Sequence, residues 1–159
     1  MLARINSYAL NGLEGYGVGV EVDIHAGLPG FDVVGLPDTA IKESRERVRS
    51  AVKNSGFDFT PRKITVNLAP AYTKKEGPIF DLAIAIGLLA STEQAGVDEH
   101  RKPLPTIGEY VFLGELSLSG SVRKINGVMP ILISARERGF KKVVIPKENA
   151  NEAKYIRGV

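Results

Sequence analysis

The chain has 159 residues, of which 43% are hydrophobic and 25% are charged. This length and composition are typical of one globular domain with a single core, and they exclude a disordered or fibrous chain. The absence of cysteine excludes disulfides, thiolate metal sites and cysteine nucleophiles. The net charge of +3 permits contact with a polyanion but does not by itself establish one.

No membrane segment or metal site is expected. The longest apolar run, Leu82–Ala90, is about half of what a membrane helix needs, and the N-terminus lacks a signal-peptide core. We therefore predict a cytoplasmic protein with no membrane partner. His25 and His100 alone cannot supply a usual zinc or iron ligand set, so we interpret both as structural or solvated.

The N-terminal part of the chain is predicted to be mainly β-structure. Residues Ala3–Leu10 and Tyr16–Ala26 alternate apolar and other side chains, which indicates two half-buried strands joined by a hairpin turn. The run FDVVG, which begins at Phe31, follows a GLPG turn and predicts a third strand beside the second. We therefore expect three antiparallel strands at the start of the domain.

A basic helix is predicted next. Asp38 or Thr39 can cap a helix that runs to about Asn54, where Gly56 provides the stop. Its polar face carries five basic residues, which are Lys42, Arg45, Arg47, Arg49 and Lys53. We interpret this face as solvated and stabilised partly by nearby glutamates, and the alternative is a nucleic-acid contact surface.

The middle of the chain holds the best candidate for the core. Ile64–Leu68 is predicted to be a buried strand, and Ile79–Ala90 is apolar nearly all round, which indicates a buried helix. Residues Thr92–Thr106 combine glycine, prolines and charges, so we expect a surface excursion there.

The C-terminal part is predicted to contain a second hairpin, two helices and one strand. Val111–Leu118 and Ser121–Ile125 form the hairpin, and Asn126–Arg138 has a helical pattern with an inward apolar stripe. The strand Lys142–Pro146 and a polar helix, Glu148–Ile156, follow. Because the sequence stops directly after this helix, we expect an excised piece of a larger protein.

Two blocks of the sequence resemble the proteolytic domain of Lon. They are VNLAPAYTKKEGPIFDLAIAIGLLA (Val66–Ala90) and the stretch from FLGELSLSG to ENANEA (Phe112–Ala153). The run GLPGFDVVGLPDTAIKESRERVRSAVKNSGF (Gly27–Phe57) is similar to the start of magnesium-chelatase-like AAA+ ATPases of the YifB/ComM type. The resemblance covers essentially the whole chain.

This resemblance implies the fold and the domain organisation. The expected fold is an α/β (α+β) sandwich of the Lon type, related to the second domain of ribosomal protein S-five, with a mixed sheet covered by helices. Residues 1–159 would form one Lon-like domain. The AAA+ module that binds ATP and Mg²⁺ would lie downstream and is missing here, so no cofactor is expected in this chain.

The residues at the Lon catalytic positions argue against proteolysis. The family uses a serine nucleophile and a lysine base, which must both be present. By resemblance, GPIFD places Ile79 at the serine position and NGVM places Met129 at the lysine position. Neither side chain can ionise, and we interpret both as core side chains that fill the former site. Asp81 is expected to cap the buried helix or to bind the basic helix, rather than to act in catalysis.

The resemblance also implies a function. The chain lacks the GxxxxGK[ST] phosphate-binding run, so ATP hydrolysis is not expected in it. The implied role is a non-catalytic accessory domain that helps a homo-oligomeric ring ATPase, linked to DNA processing and natural transformation, to assemble or to position its substrate. Its partner would be its own downstream AAA+ module. The alternatives are a serine-lysine peptidase, which is least favoured, and direct DNA binding through the basic helix together with Lys74, Lys75, Arg123 and Lys124.

Overall fold

The computed structural model describes residues 1–59, 61–102 and 104–159, so Pro103 of the predicted surface excursion lies outside the described residues. The described part contains, in chain order, β1 (Leu2–Asn11), β2 (Glu14–His25), β3 (Gly30–Val34), α1 (Thr39–Asn54), β4 (Lys63–Ala69), α2 (Asp81–Ser91), β5 (Tyr110–Phe112), β6 (Glu115–Leu116), β7 (Val122–Arg123), α3 (Val128–Glu137), β8 (Lys142–Val144) and α4 (Ala150–Ala153). Short 3-10 turns precede α2, β5 and α4, at Pro78–Phe80, Pro105–Glu109 and Lys147–Asn149.

Six of these strands form one mixed sheet in the order β3-β4-β2-β1-β5-β8. Strand β2 pairs antiparallel with both β1 and β4, whereas the pairs β3–β4, β1–β5 and β5–β8 are parallel. The remaining strands, β6 and β7, form a separate antiparallel ribbon. The predicted mixed sheet is therefore confirmed.

The predicted neighbour of the third strand is wrong. Strand β3 pairs in parallel with β4, and β4 lies between β3 and β2 in the sheet. The reason is the connection through α1, because a strand–helix–strand crossover returns the chain in the same direction and makes the two strands parallel. Only β1 and β2 form the predicted hairpin.

The two faces of the sheet are covered by different helices. Successive side chains of a strand point to opposite faces. On β1, Ile5 faces the cluster that contains the buried residues of α1 and α2, whereas Tyr8 packs in a second cluster with Ile131 of α3. The sheet thus separates two apolar cores, and both reach the end where β1 turns into β2.

Helix α2 is the central element of the larger core, as predicted. Ten of its residues are buried, although Ile86 is only half-buried. Gly87 permits the close approach to the sheet, since a Cβ there would lie 2.5 Å from Cγ2 of Val22. The helix begins at Asp81 rather than at Ile79, which belongs to the preceding 3-10 turn.

The C-terminal elements are shorter than predicted. The second hairpin is interrupted after β5, because Leu113 donates its N–H to the Val144 carbonyl and Gly114 donates to the Ile79 carbonyl. The final α-helix is limited to the four residues of α4. Within the described ranges, the structure contains no helix with the length and apolar character required to cross a membrane.

Candidate functional site

A cavity of about 1170 Å³ lies at the end of the sheet where β1 turns into β2. Its wall combines the end of this hairpin (residues 9–12 and 14–17), most of the loop between β4 and α2 (residues 70–79), and residues 124–126 after β7. Glu115 of β6 and Arg138 at the end of α3 complete the lining. The cavity is therefore assembled from segments that are far apart in sequence.

The charges that line this cavity are balanced. Three carboxylates and three cations take part, which are Glu14, Glu76, Glu115, Lys74, Lys124 and Arg138. Two large apolar side chains are almost fully exposed beside them, because Leu13 at the hairpin tip is 90% exposed and Tyr72 in the loop is 83% exposed. The site therefore offers mixed charge together with apolar contact area.

A buried lysine holds the loop that forms one wall. Lys75 is completely buried, and its Nζ donates hydrogen bonds to the carbonyl oxygens of Gly35, at 2.8 Å, and Pro70. Burial lowers the pKa of the Lys75 amine. Lys75 therefore cannot contact DNA from this position, which corrects the prediction that grouped it with Lys74.

The GLPD turn before α1, Gly35–Asp38, also holds the loop between β4 and α2. Asp38 accepts the N–H of Ile41 at 2.8 Å, which caps α1 as predicted, and its second oxygen accepts the N–H of Gly77 at 2.9 Å. The backbone N–H of Asp38 donates to the Lys75 carbonyl at 3.1 Å. Gly35 has a φ of 99°, and a Cβ there would collide with the Leu68 carbonyl oxygen. The glycine is required where the turn passes β4.

Ile79 forms the apolar base of the cavity wall. It is half-buried and packs against both apolar cores. Its carbonyl accepts the N–H of Gly114 at 3.0 Å, and the Gly114 carbonyl accepts the N–H of Leu82 at 3.0 Å. The position that the Lon resemblance assigns to the nucleophile thus carries a hydrocarbon side chain beside backbone groups that are already paired.

Met129 does not fill a core position. It lies in the first turn of α3 and its side chain is exposed. The interpretation that both former catalytic positions hold core side chains is therefore wrong for Met129. The inward residues of α3 are Val128, Ile131, Leu132 and Ala135, which are buried as predicted. Met129 points away from them because it lies between inward positions of the helical repeat.

Asp81 and Arg47 form a buried ion pair between α2 and α1. Arg47 donates from Nε to Oδ2 of Asp81 at 2.6 Å and from Nη2 to Oδ1 at 3.0 Å. Oδ2 also accepts the N–H of Leu116 at 3.1 Å. Burial raises the pKa of Asp81, and the hydrogen bonds from Arg47 oppose this effect. The prediction that Asp81 binds the basic helix is confirmed, whereas Arg47 does not belong to a solvated face.

The remaining basic residues of α1 are partly engaged. Arg49 lies 3.4 Å from a carboxylate oxygen of Glu46, which agrees with the expected stabilisation by glutamates. Arg49 and Lys53 also lie over the ring of Phe59, at 5.7 and 5.8 Å from its centroid. Phe59 carries no signal in the sequence, since it follows the helix and only the fold places its ring below these cations. Four other basic candidates are exposed, which are Lys42, Arg45, Arg123 and Lys124.

Both histidines are exposed, as expected for solvated side chains. His25 lies beside Asp23, and His100 lies beside Glu99. The two residues lie in separate places, one at the end of β2 and one in the loop after α2.

Comparisons with known proteins identify relatives along nearly the whole chain. A family profile described as subunit ChlI of Mg-chelatase matches residues 20–149. The competence protein ComM of Haemophilus influenzae is 42% identical over 155 residues, which are 98% of this chain and 29% of that protein. The uncharacterized protein YifB of Escherichia coli is 41% identical over 157 residues, 99% of this chain and 29% of that protein. This chain therefore spans less than a third of the length of these relatives.

A more distant similarity supports the expected fold. Lon protease 2 of Bacillus subtilis is 31% identical over 119 residues, which are 74% of this chain and 20% of that protein. Together with the mixed sheet flanked by helices, this similarity confirms the Lon-like fold.

Proposed function

This chain belongs to the family of the magnesium-chelatase subunit ChlI, and we propose that it is a non-catalytic, Lon-like accessory domain of an ATPase of this family. The domain helps the ATPase to assemble or to position its substrate. A relative named as a competence protein supports the link of the whole protein to DNA processing during natural transformation.

The observation that carries this proposal is the chemistry around Ile79. A serine-lysine peptidase needs a hydroxyl and an amine within hydrogen-bond reach of each other. Ile79 supplies neither group, and Met129 is exposed in α3. The buried charged groups near this wall are already engaged, because Asp81 is bound by Arg47 and Lys75 is bound by two carbonyls. The hydrocarbon side chains at positions 79 and 129 therefore support a non-catalytic domain.

The remaining part of the proposal concerns the parent protein. The relatives are about three times longer than this chain, which leaves room for a downstream AAA+ module that binds ATP and Mg²⁺. We propose that this module is the partner of the domain, that the whole protein forms a homo-oligomeric ring, and that it acts in the cytoplasm.

The test is an assay of peptide hydrolysis on the 159-residue chain. We expect no cleavage by the wild type or by Ile79→Ser, because a serine without its base is a poor nucleophile. The double variant Ile79→Ser/Met129→Lys should also be inactive, since its lysine would project into solvent. Cleavage by the wild type that disappears on changing another serine, such as Ser117→Ala, would overturn the non-catalytic assignment.

Direct DNA binding is a second candidate function. The observation that favours it is that Lys42, Arg45 and Lys53 remain exposed on α1. Basic side chains on one surface supply the electrostatic part of DNA binding. DNA binding requires an exposed basic surface rather than a cavity, and its affinity should fall as the salt concentration rises.

A further inference from the structure

We propose that the cavity beside Ile79 binds an extended polypeptide segment that carries both charges and apolar side chains. The inference rests on the proposed function in one respect only, namely that the bound segment is held and not cut. The occupant is identified by the size of the cavity, by its charge pattern and by the two apolar side chains at its rim.

The size and the charged lining of the cavity together favour a chain over a small molecule. Sites for small ligands are typically about 300–1,000 Å³ and mostly apolar. This cavity has a volume of about 1170 Å³, and charged side chains from the hairpin, the loop and β6 line it. Its wall also contains Gly12 and Gly77, where a Cβ would meet no atom within 4 Å. A polypeptide backbone can approach the wall closely at these positions.

The charge pattern favours a polypeptide over a nucleic acid. A polyanion that approached Lys74, Lys124 and Arg138 would also approach the carboxylates of Glu14, Glu76 and Glu115. Nucleic-acid sites are dominated by positive charge, because the phosphates drive the affinity. A segment with both lysine and glutamate side chains can instead place each charge opposite its complement.

Leu13 and Tyr72 are exposed apolar side chains on two segments that form the wall, the hairpin and the loop. Leu13 lies between Gly12 and Glu14, which line the hairpin side, and Tyr72 itself lines the loop side. Their exposures of 90% and 83% leave most of each apolar surface in water. Burying such side chains is the main source of affinity at interfaces, and aromatic residues are prominent among the anchors.

The walls are held in place before any ligand binds. Tyr16 of β2 donates from its hydroxyl to the Lys74 carbonyl at 3.2 Å, which ties the hairpin to the loop. The buried Lys75 and Asp38 fix the other side of the same loop. A preorganised wall lowers the entropy cost of binding, so a short segment can bind without first ordering the site.

The test uses a fluorescein-labelled peptide of alternating lysine and glutamate with a central leucine and phenylalanine. We expect it to bind the wild-type chain in an anisotropy titration, and Leu13→Ser/Tyr72→Ser should weaken the affinity by about tenfold or more. The matched control is Leu28→Ser/Tyr155→Ser, because these side chains are 88% and 72% exposed and neither they nor their chain neighbours line the cavity. The control should bind like the wild type.

A charge-reversal variant tests the electrostatic part. Lys124→Glu should shift the preference from the alternating peptide towards a peptide in which lysine replaces glutamate. All variants change exposed side chains, and equal melting temperatures would show that the fold is retained.

Several results would overturn the inference. They are the absence of peptide binding, an equal loss in both double variants, displacement of the peptide by oligothymidylate, and self-association of the wild type that Leu13→Ser/Tyr72→Ser abolishes. The absence of binding would indicate no site, and an equal loss in both double variants would indicate nonspecific adhesion. Displacement by oligothymidylate would indicate a polyanion site, and the loss of self-association would indicate a dimer surface. Mass spectrometry of the bound peptide separates the two proposals, since cleavage would overturn the non-catalytic function but leave the polypeptide site in place.

Discussion

Lys74 and Lys75 are adjacent in sequence, yet they have opposite environments. The side chain of Lys74 is exposed, whereas that of Lys75 is completely buried and bound to two carbonyl oxygens. The difference comes from the backbone, because the peptide of Lys75 bridges to Pro37 and directs the side chain inward. A pair of lysines in a turn-rich sequence carries no signal for this bridge, so the two residues cannot be distinguished from the sequence alone.

Replacement of Lys75 tests its structural role. Lys75→Met should destabilise the chain by about 1–3 kcal/mol, because it leaves the carbonyls of Gly35 and Pro70 without donors in a buried place. Lys74→Met is the matched control and should change the free energy of unfolding by less than about 0.5 kcal/mol. Urea unfolding at neutral pH measures both values. Equal effects of the two variants would contradict a structural role for the buried hydrogen bonds of Lys75.

The pH dependence of the unfolding free energy is a second test of Lys75. Burial lowers the pKa of Lys75 in the folded chain, so the folded state binds fewer protons than the unfolded state between the two pKa values. The difference in unfolding free energy between the wild type and Lys75→Met should therefore increase as the pH rises through this window towards the ordinary lysine pKa. A constant or falling difference would show that the amine is not desolvated.

At the scale of elements, the ion pair between Asp81 and Arg47 joins three parts of the fold. Arg47 belongs to α1, Asp81 begins α2, and the N–H of Leu116 in β6 reaches the same carboxylate. Such a pair contributes little net stability compared with an apolar contact of equal volume, but the loss of one partner leaves a buried charge. The pair therefore fixes how α1 docks on α2.

A double-mutant cycle tests this coupling. Arg47→Met alone should cost about 3–5 kcal/mol, since it leaves the Asp81 carboxylate uncompensated, and Arg47→Met/Asp81→Leu should recover much of that loss. The control Arg49→Met removes a partly exposed pair with Glu46 and should cost less than about 1 kcal/mol. Urea unfolding of the wild type, Arg47→Met, Asp81→Leu and Arg47→Met/Asp81→Leu gives the coupling energy, and additive effects would contradict a direct pair.

The helices could be predicted from the sequence more reliably than the strand order. The cap at Asp38 and the apolar run before Ser91 are local signals, and both agree with the structure. The position of β3 depends on β4, which follows about thirty residues later, so its pairing is not encoded in the local alternation. Met129 was placed in the core because a resemblance fixes a position in the sequence but not the direction of a side chain.

At the scale of the whole molecule, the candidate site was only partly predictable. Ile79, the position that the resemblance assigns to the nucleophile, does line the cavity, and the basic residues Lys74 and Lys124 line it too. Leu13, Tyr72 and the three carboxylates could not be assigned to a site from the sequence, because the hairpin, the loop and the β6–β7 ribbon meet only in the folded chain. Exposed apolar residues in turns carry no functional signal until the cavity between them is known.

The distribution of charge also determines where DNA would bind. Lys42 and Lys53 are exposed on α1 and lie about three helical turns apart, which places them on the same face of the helix. The cations of the cavity are interspersed with carboxylates. A polyanion should therefore favour α1 over the cavity, and its binding should be weak because Arg47 and Arg49 of α1 are already engaged.

We therefore predict salt-dependent binding of single-stranded DNA through α1. Labelled single strands should bind at low salt and dissociate steeply as salt rises, because the affinity comes from counterion release. Lys42→Glu/Lys53→Glu should abolish this binding, whereas Lys74→Glu/Lys124→Glu, which changes the same number of charges in the cavity, should leave most of it. If the wild type shows no binding at low salt, α1 is a solvated or subunit-facing surface. If both double variants lose binding equally, only net charge matters and α1 is not a specific contact surface.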